Sequence, residues 1–493
     1  MNTLLQRFGE NLRQQKTGIF VFACAALSTI ALIIYPKGVQ STPTPLTWTA
    51  PLHSITSSSN GVSISGSLSQ AKVVQNRFNE VFLKLSLQTP AEEATTEKKV
   101  KRSSDFVVVL DRSGSMSSDD KLPFAKAAIG ELIATLNAED RFALVTFDNR
   151  VILEAPLTAL DGAGRRRLLD KVKRIQAGGG TNISAGLSQA RQVLHNEESP
   201  RIRRIILLSD GQANEGITSP EGLSGIVDRA VADNIVVSTI GLGLGFNQNL
   251  MSQLADHGMG NYAYLEHLGG LGVVLASTVK EARETYASRS EVVLNLPRGV
   301  HIKDAGGYPV RKQGTNSYIQ TGLLRQDSAK SFFVTLKVPT DKVGDINLGS
   351  LGLNYWKAGE RYVVAPSEKA LQLAVVPSSR RKEARDSIQS SIYRENWTSN
   401  AIGIVKKKVA NLVSQGRKKE AEAELSQYEQ TLRSQSSASG IALEDEKVKG
   451  ELAEMKSAVV DAFQGSASQQ LYKQNRTGKQ YQFDSLQSQR KTR

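Results

Sequence analysis

A long stretch of the chain alternates short, almost purely apolar runs with amphipathic segments, and this alternation restricts the fold more than any other feature. The apolar runs fall at residues 106–110, 142–147, 204–209, 234–241 and 261–266. Between them, apolar residues recur at intervals of three and four, the spacing of one helical face. Apolar strands that alternate with helices form a parallel sheet covered on both sides. Residues 105–287 are therefore predicted to be an α/β domain with a doubly wound, mostly parallel sheet.

The segments on either side of this domain have the pattern of half-buried strands. Residues 55–90 contain the runs GVSISGSLS and EVFLKLSLQ, and residues 290–376 contain several more alternating runs. Such alternation indicates strands with one face in a core. Because an isolated hairpin is only marginally stable, we predict that both segments form one antiparallel β-sandwich into which the α/β domain is inserted.

The last part of the chain changes character again. Residues 380–465 are charged and carry apolar residues at helical spacing, which predicts a C-terminal helical region. Residues 466–493 are predicted to be a flexible or draped basic tail, since residues 473–493 contain six basic residues against one acidic residue. Such a tail could contact an anionic envelope polymer or lipid headgroups.

The amino terminus predicts a membrane anchor. Residues 18–35 contain no charge, and a helix of that length spans about 27 Å, close to the ~30 Å of a hydrocarbon core. Arg7, Arg13 and Lys16 precede it. The positive-inside bias then keeps residues 1–17 in the cytoplasm and exports the remainder to the periplasm or cell surface.

Two details qualify the anchor. Residues 36–54 contain several prolines among Ser and Thr, which is typical of an extended linker. The alternative is a cleaved signal peptide with its cleavage site at the small residues Ala23-Cys24-Ala25. Cleavage there would leave the apolar run LSTIALIIY on the mature protein, so an uncleaved single-pass anchor is preferred.

Oxygen-bearing side chains follow the strands of the predicted parallel sheet. Asp111, Ser113 and Ser115 lie directly after the first strand, Thr181 lies in a glycine-rich loop, and Asp210 follows the run at 204–209. Ligands of doubly wound sheets bind at the carboxyl ends of the strands. Two carboxylates and three hydroxyls are hard oxygen donors, which suit Mg²⁺ or Mn²⁺ and not zinc or copper.

The motifs DRSGSM, GGGTN and LLSDG, in this order, resemble the metal-ion-dependent adhesion site of von Willebrand factor type A (VWA) domains. The resemblance covers residues 105–285 and implies that Asp111, Ser113, Ser115, Thr181 and Asp210 coordinate Mg²⁺, with Mn²⁺ or Ca²⁺ as alternatives, directly or through water. The helical region and the last residues are more loosely similar to membrane-associated proteins labelled calcium-activated-chloride-channel-like.

The sequence does not favour a phosphoaspartyl enzyme, a dinucleotide site, a zinc site or a nucleic-acid-binding protein. A phosphoaspartyl enzyme would need a second carboxylate where Ser113 stands. The run at 241–245 is GLGLG and not the GxGxxG of dinucleotide sites. Cys24 is the single cysteine and the five histidines form no HExxH or HxxxH pair, so no zinc site is expected. The net charge of +14 comes without aromatic platforms or a known reader motif, and nucleic-acid binding is not expected.

These observations together predict a binding protein and not an enzyme. The expected function is Mg²⁺-dependent protein binding, for adhesion or for scaffolding an envelope complex, with a partner that donates an Asp or Glu carboxylate to the metal. The alternative is an accessory subunit of a transport or channel complex.

Overall fold

The computed structural model describes residues 53–77, 79–91, 103–195, 201–441 and 446–492 of the 493-residue chain. The predicted cytoplasmic segment and anchor, with almost all of the predicted linker, lie outside these residues. Among the helices that are described, none combines the length and apolar character needed to cross a membrane.

The strands of the described residues are, in chain order, β1 (Ser54–Ser59), β2 (Val62–Leu68), β3 (Lys72–Val74), β4 (Glu80–Gln88), β5 (Ser104–Asp111), β6 (Arg141–Phe147), β7 (Val151–Ala159), β8 (Ile202–Ser209), β9 (Ile235–Leu242), β10 (Met259–Leu265), β11 (Thr285–Ala287), β12 (Arg289–Asn295), β13 (His301–Asp304), β14 (Val310–Gln313), β15 (Asn316–Gln320), β16 (Leu324–Arg325), β17 (Ala329–Lys337), β18 (Gly344–Lys357), β19 (Glu360–Val364), β20 (Leu371–Val376) and β21 (Lys491–Thr492).

The α-helices of the same residues are α1 (Lys121–Thr135), α2 (Gly162–Arg174), α3 (Ile183–His195), α4 (Pro220–Ala232), α5 (Gln248–His257), α6 (Leu271–Arg283), α7 (Arg381–Asp386), α8 (Ser390–Asn396), α9 (Ile402–Ser414), α10 (Lys418–Ser439), α11 (Glu446–Asp461) and α12 (Ala467–Gln489).

The α/β domain contains a six-stranded sheet in the order β10-β9-β8-β5-β6-β7. Its strands are parallel except for β7, which pairs antiparallel with β6. Residues of β5 alternate between two cores: Val108 packs with α1, α2 and α6, and Val109 packs with α3, α4 and α5. The predicted α/β class is confirmed, and the two-faced burial explains why β5, β8 and β9 each contain a continuous apolar run and do not alternate apolar and polar residues.

The edge strand β7 was absent from the strands predicted by sequence. Only Ala155 of its nine residues is buried, and Pro156 interrupts the run. A proline is tolerated in a strand at the edge of a sheet, where a missing N–H breaks no ladder. Because an edge strand needs neither continuous apolar residues nor regular alternation, its pattern gave no strand signal.

Two further sheets pack face to face around a single core. One has the order β1-β2-β4-β17-β13, and the other has the order β14-β15-β12-β18-β20-β3. Leu83 and Leu85 of β4 share this core with Leu351 and Leu353 of β18. The amino-terminal strands are central to the arrangement, because β4 lies between β2 and β17 and β3 pairs with β20. The α/β domain is inserted between β4 and β12.

This pairing predicts how fragments behave. Residues 105–287 contain the sheet and the helices that cover both of its faces. This fragment is therefore expected to unfold cooperatively in urea. Residues 290–376 alone should aggregate during size exclusion, because β17 loses β4 and β20 loses β3, which exposes two unpaired edges. A single chain that joins 53–91 to 290–376 is the control and should be soluble. A soluble, monomeric 290–376 fragment would contradict the prediction.

Of the two forms predicted for the basic tail, flexible or draped, the structure shows a segment that lies against the fold and is largely helical. Residues 467–489 form the helix α12, which begins with a reciprocal capping box between Ser466 and Gln469, and β21 then pairs with β17. Three cations of this segment bond to acids elsewhere in the chain: Lys473 to Asp461 at 2.7 Å, Arg476 to Glu266 at 2.9 Å, and Arg490 to Asp256 at 2.6 Å. A polar composition therefore does not indicate a free tail here, because charge pairs hold the segment against the fold.

Candidate metal centre

The fold brings the five predicted site residues to one edge of the parallel sheet. Asp111 is the last residue of β5, and Asp210 directly follows β8, its parallel neighbour. Thr181 lies two residues before α3. Ser113 and Ser115 lie in the loop and short 3₁₀ turn after β5. This edge is the one at which doubly wound sheets bind ligands.

The carboxylate of Asp111 is buried without a cationic partner among the described residues. The backbone N–H of Ser113 donates to Oδ1 at 2.8 Å, and the hydroxyl of Ser209 donates to Oδ2 at 2.6 Å. Burial raises the pKa of Asp111 from 3.8 to about 6, although both hydrogen bonds oppose the rise. The ionised group is therefore held at a cost that a bound cation would relieve.

A hydroxyl chain leads from the first loop to the second carboxylate. The hydroxyls of Ser113 and Ser115 lie 3.1 Å apart, and Ser115 Oγ donates to Asp210 Oδ1 at 2.8 Å. Ser113 is 2% exposed, whereas Ser115 is exposed to solvent. The site is thus deepest at Asp111 and opens to solvent at Ser115, which leaves it accessible to a partner.

Backbone hydrogen bonds attach the Thr181 loop to the Asp111 loop. Gly114 N–H donates to the carbonyl of Gly179 at 3.0 Å, and Gly178 N–H donates to the carbonyl of Arg112 at 2.8 Å. Gly211 keeps the space between the ligands open, because a Cβ at that position would lie 3.2 Å from Thr181 Oγ1 and 3.6 Å from Asp111 Oδ2.

The donor set matches a hard divalent cation. Two carboxylates and three hydroxyls lie at this edge, the Asp111 carboxylate has no cationic partner within the described part of the chain, and the opening leaves coordination positions for water or a partner. Within the described ranges, no group of three or more His, Cys, Asp or Glu residues gathers in a way that could hold a metal. Oxygen donors of this kind favour Mg²⁺ or Mn²⁺ over softer ions.

Sequence reasoning missed two residues that complete the site. Ser209 donates to Asp111, and its position beside Asp210 in LLSDG was the available signal. Lys121 donates to Asp210 Oδ2 at 2.7 Å and contacts the carbonyl of Ser115 at 3.4 Å. A lysine at the start of a helix gives no sequence signal for such a role, since most are solvated.

The glycine run at 241–245 forms one wall of this site. Gly243 has φ +68° in the turn after β9, and a Cβ there would approach Lys121 Cε to 3.3 Å. A Cβ at Gly245 would lie 2.8 Å from the carbonyl oxygen of Asp210. The small residues therefore permit the close approach of this turn to Lys121 and Asp210.

Comparison with known proteins identifies the family of the α/β domain. Residues 106–212 match the family profile described as von Willebrand factor type A domain. The chain is 32% identical over 188 residues to Uncharacterized protein YfbK of Escherichia coli (strain K12), which covers 37% of this chain and 32% of YfbK. It is 31% identical over 137 residues to Calcium-activated chloride channel regulator 1 of Mus musculus, which covers 28% of this chain and 14% of the regulator.

A solved structure shares the wider architecture. The protein described as von Willebrand factor type A from Catenulispora acidiphila superposes with a TM-score of 0.60 at 16% identity, and the match covers 82% of this chain and 91% of that chain. This likeness concerns the fold alone. The chain contains a VWA domain, and the alignments span a third or less of the two relatives' lengths.

Proposed function

We propose that this chain is a non-enzymatic, membrane-anchored VWA protein that binds a protein partner through a Mg²⁺ ion. Asp111 and Asp210 would supply the anionic ligands, and Ser113, Ser115 and Thr181 would supply neutral hydroxyls. The observation that carries the proposal is the buried carboxylate of Asp111, which no cationic side chain of the described residues pairs with, at the base of an open cluster of oxygen donors. VWA domains typically mediate protein–protein interactions.

The bound ion would supply an electrophilic position for an outside anion. Three of the five ligands are neutral, so the two aspartates offset at most the double charge of the ion. An Asp or Glu side chain of the partner would then complete the coordination in place of water. The chain's own contribution is to hold the donors in position through the hydrogen bonds of Ser209, Gly114 and Gly178.

The cellular role proposed is adhesion or scaffolding of an envelope complex, with residues 18–35 as the anchor and the domains outside the cytoplasm. The similarity to a calcium-activated chloride channel regulator favours a second candidate, an accessory subunit of a transport or channel complex. The two differ in what they bind. The second predicts that membrane proteins with several spanning segments co-purify with the chain.

Capture of the partner should depend on the metal. The full chain, used as bait on solubilised membranes, is expected to retain its partner in Mg²⁺, release it in EDTA and recover it when Mg²⁺ or Mn²⁺ is restored. Thr181→Ala should weaken capture about tenfold or more, because it removes one ligand from a buried position that is 4% exposed. Mass spectrometry of the captured proteins provides the measurement.

Thr158→Ala, which removes a hydroxyl from the edge strand β7, is the matched control and should capture like the wild type. Capture of the same partner at full strength in EDTA would refute a metal-bridged interaction. Equal capture by Thr181→Ala and wild type would remove Thr181 from the site.

A further inference from the structure

Lys121 places a positive charge inside the candidate metal centre. Its ammonium lies 2.7 Å from Asp210 Oδ2, and the side chains of Lys121 and Asp210 are 11% and 0% exposed. The other oxygen of Asp210 accepts the hydroxyl of Ser115, so both oxygens already have donors. Asp119 also lies within 3.9 Å of the ammonium, but its side chain is 83% exposed and its interaction is screened by solvent.

The net charge of the site follows from its charged side chains. Asp111 and Asp210 contribute two negative charges and Lys121 contributes one positive charge, while the nearby pair of Arg112 and Asp148, at 2.7 Å, is neutral. Without a metal ion, this cluster of side chains therefore has a net charge of −1. A divalent cation brings it to +1, and one partner carboxylate then neutralises it. Without Lys121, the same three states would carry −2, 0 and −1.

We propose that Lys121 sets the charge of the metal centre: it weakens the hold on the bare cation and keeps the loaded centre positive towards an anionic partner. This inference rests on the proposed function, because it assigns Lys121 a role at the same site. The lysine acts by occupying Asp210 and by repelling the incoming ion. It favours the complex of protein, metal and carboxylate over the complex of protein and metal alone.

The surrounding structure holds Lys121 in this place. It is the first residue of α1, so its backbone is fixed by the helix, and its aliphatic part passes the open side of Gly243. The carbonyl of Ser115 provides a second acceptor at 3.4 Å. The ammonium therefore remains beside Asp210 and does not extend into solvent as most lysines do.

The decisive test is the affinity of the full chain for Mn²⁺ alone, measured by titration calorimetry. Lys121→Met is expected to bind Mn²⁺ about tenfold more tightly than wild type or better, because a nearby charge of the same sign as the ion has been removed. Lys121→Arg keeps the charge and should remain within about threefold of wild type. Lys126→Met changes a lysine of the same helix whose ammonium donates to the carbonyl oxygens of Lys173 and Ile175, and this variant should match wild type.

A purely structural salt bridge would give a different result. In that case, removal of Lys121 would loosen the site and leave Mn²⁺ affinity unchanged or weaker, in parallel with the loss of metal-free stability. Our proposal expects opposite signs: a lower melting temperature without metal and a larger rise on adding Mn²⁺. If Lys121→Met does not fold, Lys121→Gln serves in its place, because its amide can still donate to Asp210.

The outcomes separate this inference from the proposed function. A folded Lys121→Met or Lys121→Gln protein with wild-type or weaker Mn²⁺ affinity would overturn the role of Lys121 while leaving metal-dependent capture possible. Tighter Mn²⁺ binding by these variants would support the proposed role of Lys121. If partner capture is at the same time unaffected by EDTA, the proposed function is refuted. Failure of every variant and the wild type to bind Mn²⁺ would overturn both.

Discussion

Asp111→Asn is expected to make the metal-free protein more stable while abolishing metal binding. The rise of the Asp111 pKa from 3.8 to about 6, caused mainly by burial, corresponds to about 3 kcal/mol against the ionised form in the folded state. An amide carries no charge to desolvate. It can still accept from the N–H of Ser113, and the Ser209 hydroxyl can rotate to accept from it.

The size of this stabilisation depends on pH. A carboxyl whose folded pKa exceeds its unfolded pKa costs nothing below the unfolded value, since both states are then protonated. The cost develops between pH 3.8 and about 6 and is complete above pH 6. Asp111→Asn should therefore gain up to about 3 kcal/mol over wild type at pH 7.5, and the difference should vanish near pH 4.

Urea unfolding in EDTA at the two pH values measures the difference. Added Mg²⁺ should raise the melting temperature of the wild type and leave that of Asp111→Asn unchanged, and the variant should capture no partner. Asp170→Asn replaces a carboxylate whose side chain is 64% exposed and serves as the control, with no change in any measurement. If Asp111→Asn is the less stable protein in EDTA at pH 7.5, the carboxylate is not held at a cost and its burial does not favour a bound cation.

The candidate site was accessible to sequence reasoning because of its chain positions. Asp111 ends β5 and Asp210 directly follows β8, both strands contain clear apolar runs, and parallel neighbours end at the same edge of a sheet. Their metal-binding role remains a prediction. Lys121 was not accessible in this way, because its contact with Asp210 depends on how α1 and the glycine turn pack against the sheet.

The elements of the fold also differ in how well the sequence predicts them. Strands buried on both faces are recognisable in the sequence as continuous apolar runs. The edge strand β7 has no such run, and only Ala155 of its nine residues is buried. The helix α12 was missed because its burial uses few apolar side chains, among them Phe483 and Leu486. The capping signature of Ser466 and Gln469 was the local signal for it. Charge pairs between distant segments hold it in place, and a single-sequence pattern does not reveal them.

Arg490→Met is expected to destabilise the protein by about 3 kcal/mol, because Arg490 attaches the end of α12 to two parts of the fold. Its guanidinium bonds Asp256 at 2.6 and 3.1 Å, donates to the carbonyls of Gly306 and Gly307, and lies 4.2 Å from the ring centre of Tyr308. It thus joins the end of α12 to both the α/β domain and the sandwich. Removing one partner of a largely buried pair leaves an uncompensated charge on the other, here Asp256.

Loss of the Arg490 contacts should also affect the metal centre, because α12 contacts the residues that follow the glycine run at 241–245. Lys479 donates to the carbonyl of Phe246 at 2.7 Å, and Phe246 follows the glycine turn that packs on Asp210. Release of α12 in Arg490→Met should therefore appear as faster tryptic cleavage at Lys473 and Lys479 and as weaker Mg²⁺-dependent capture. Arg433→Met removes an arginine that is 72% exposed and should change neither. If Arg490→Met has the stability and the cleavage rate of the wild type, apolar packing alone holds α12 in place. The Arg490–Asp256 pair would then be a consequence of that packing and not its cause.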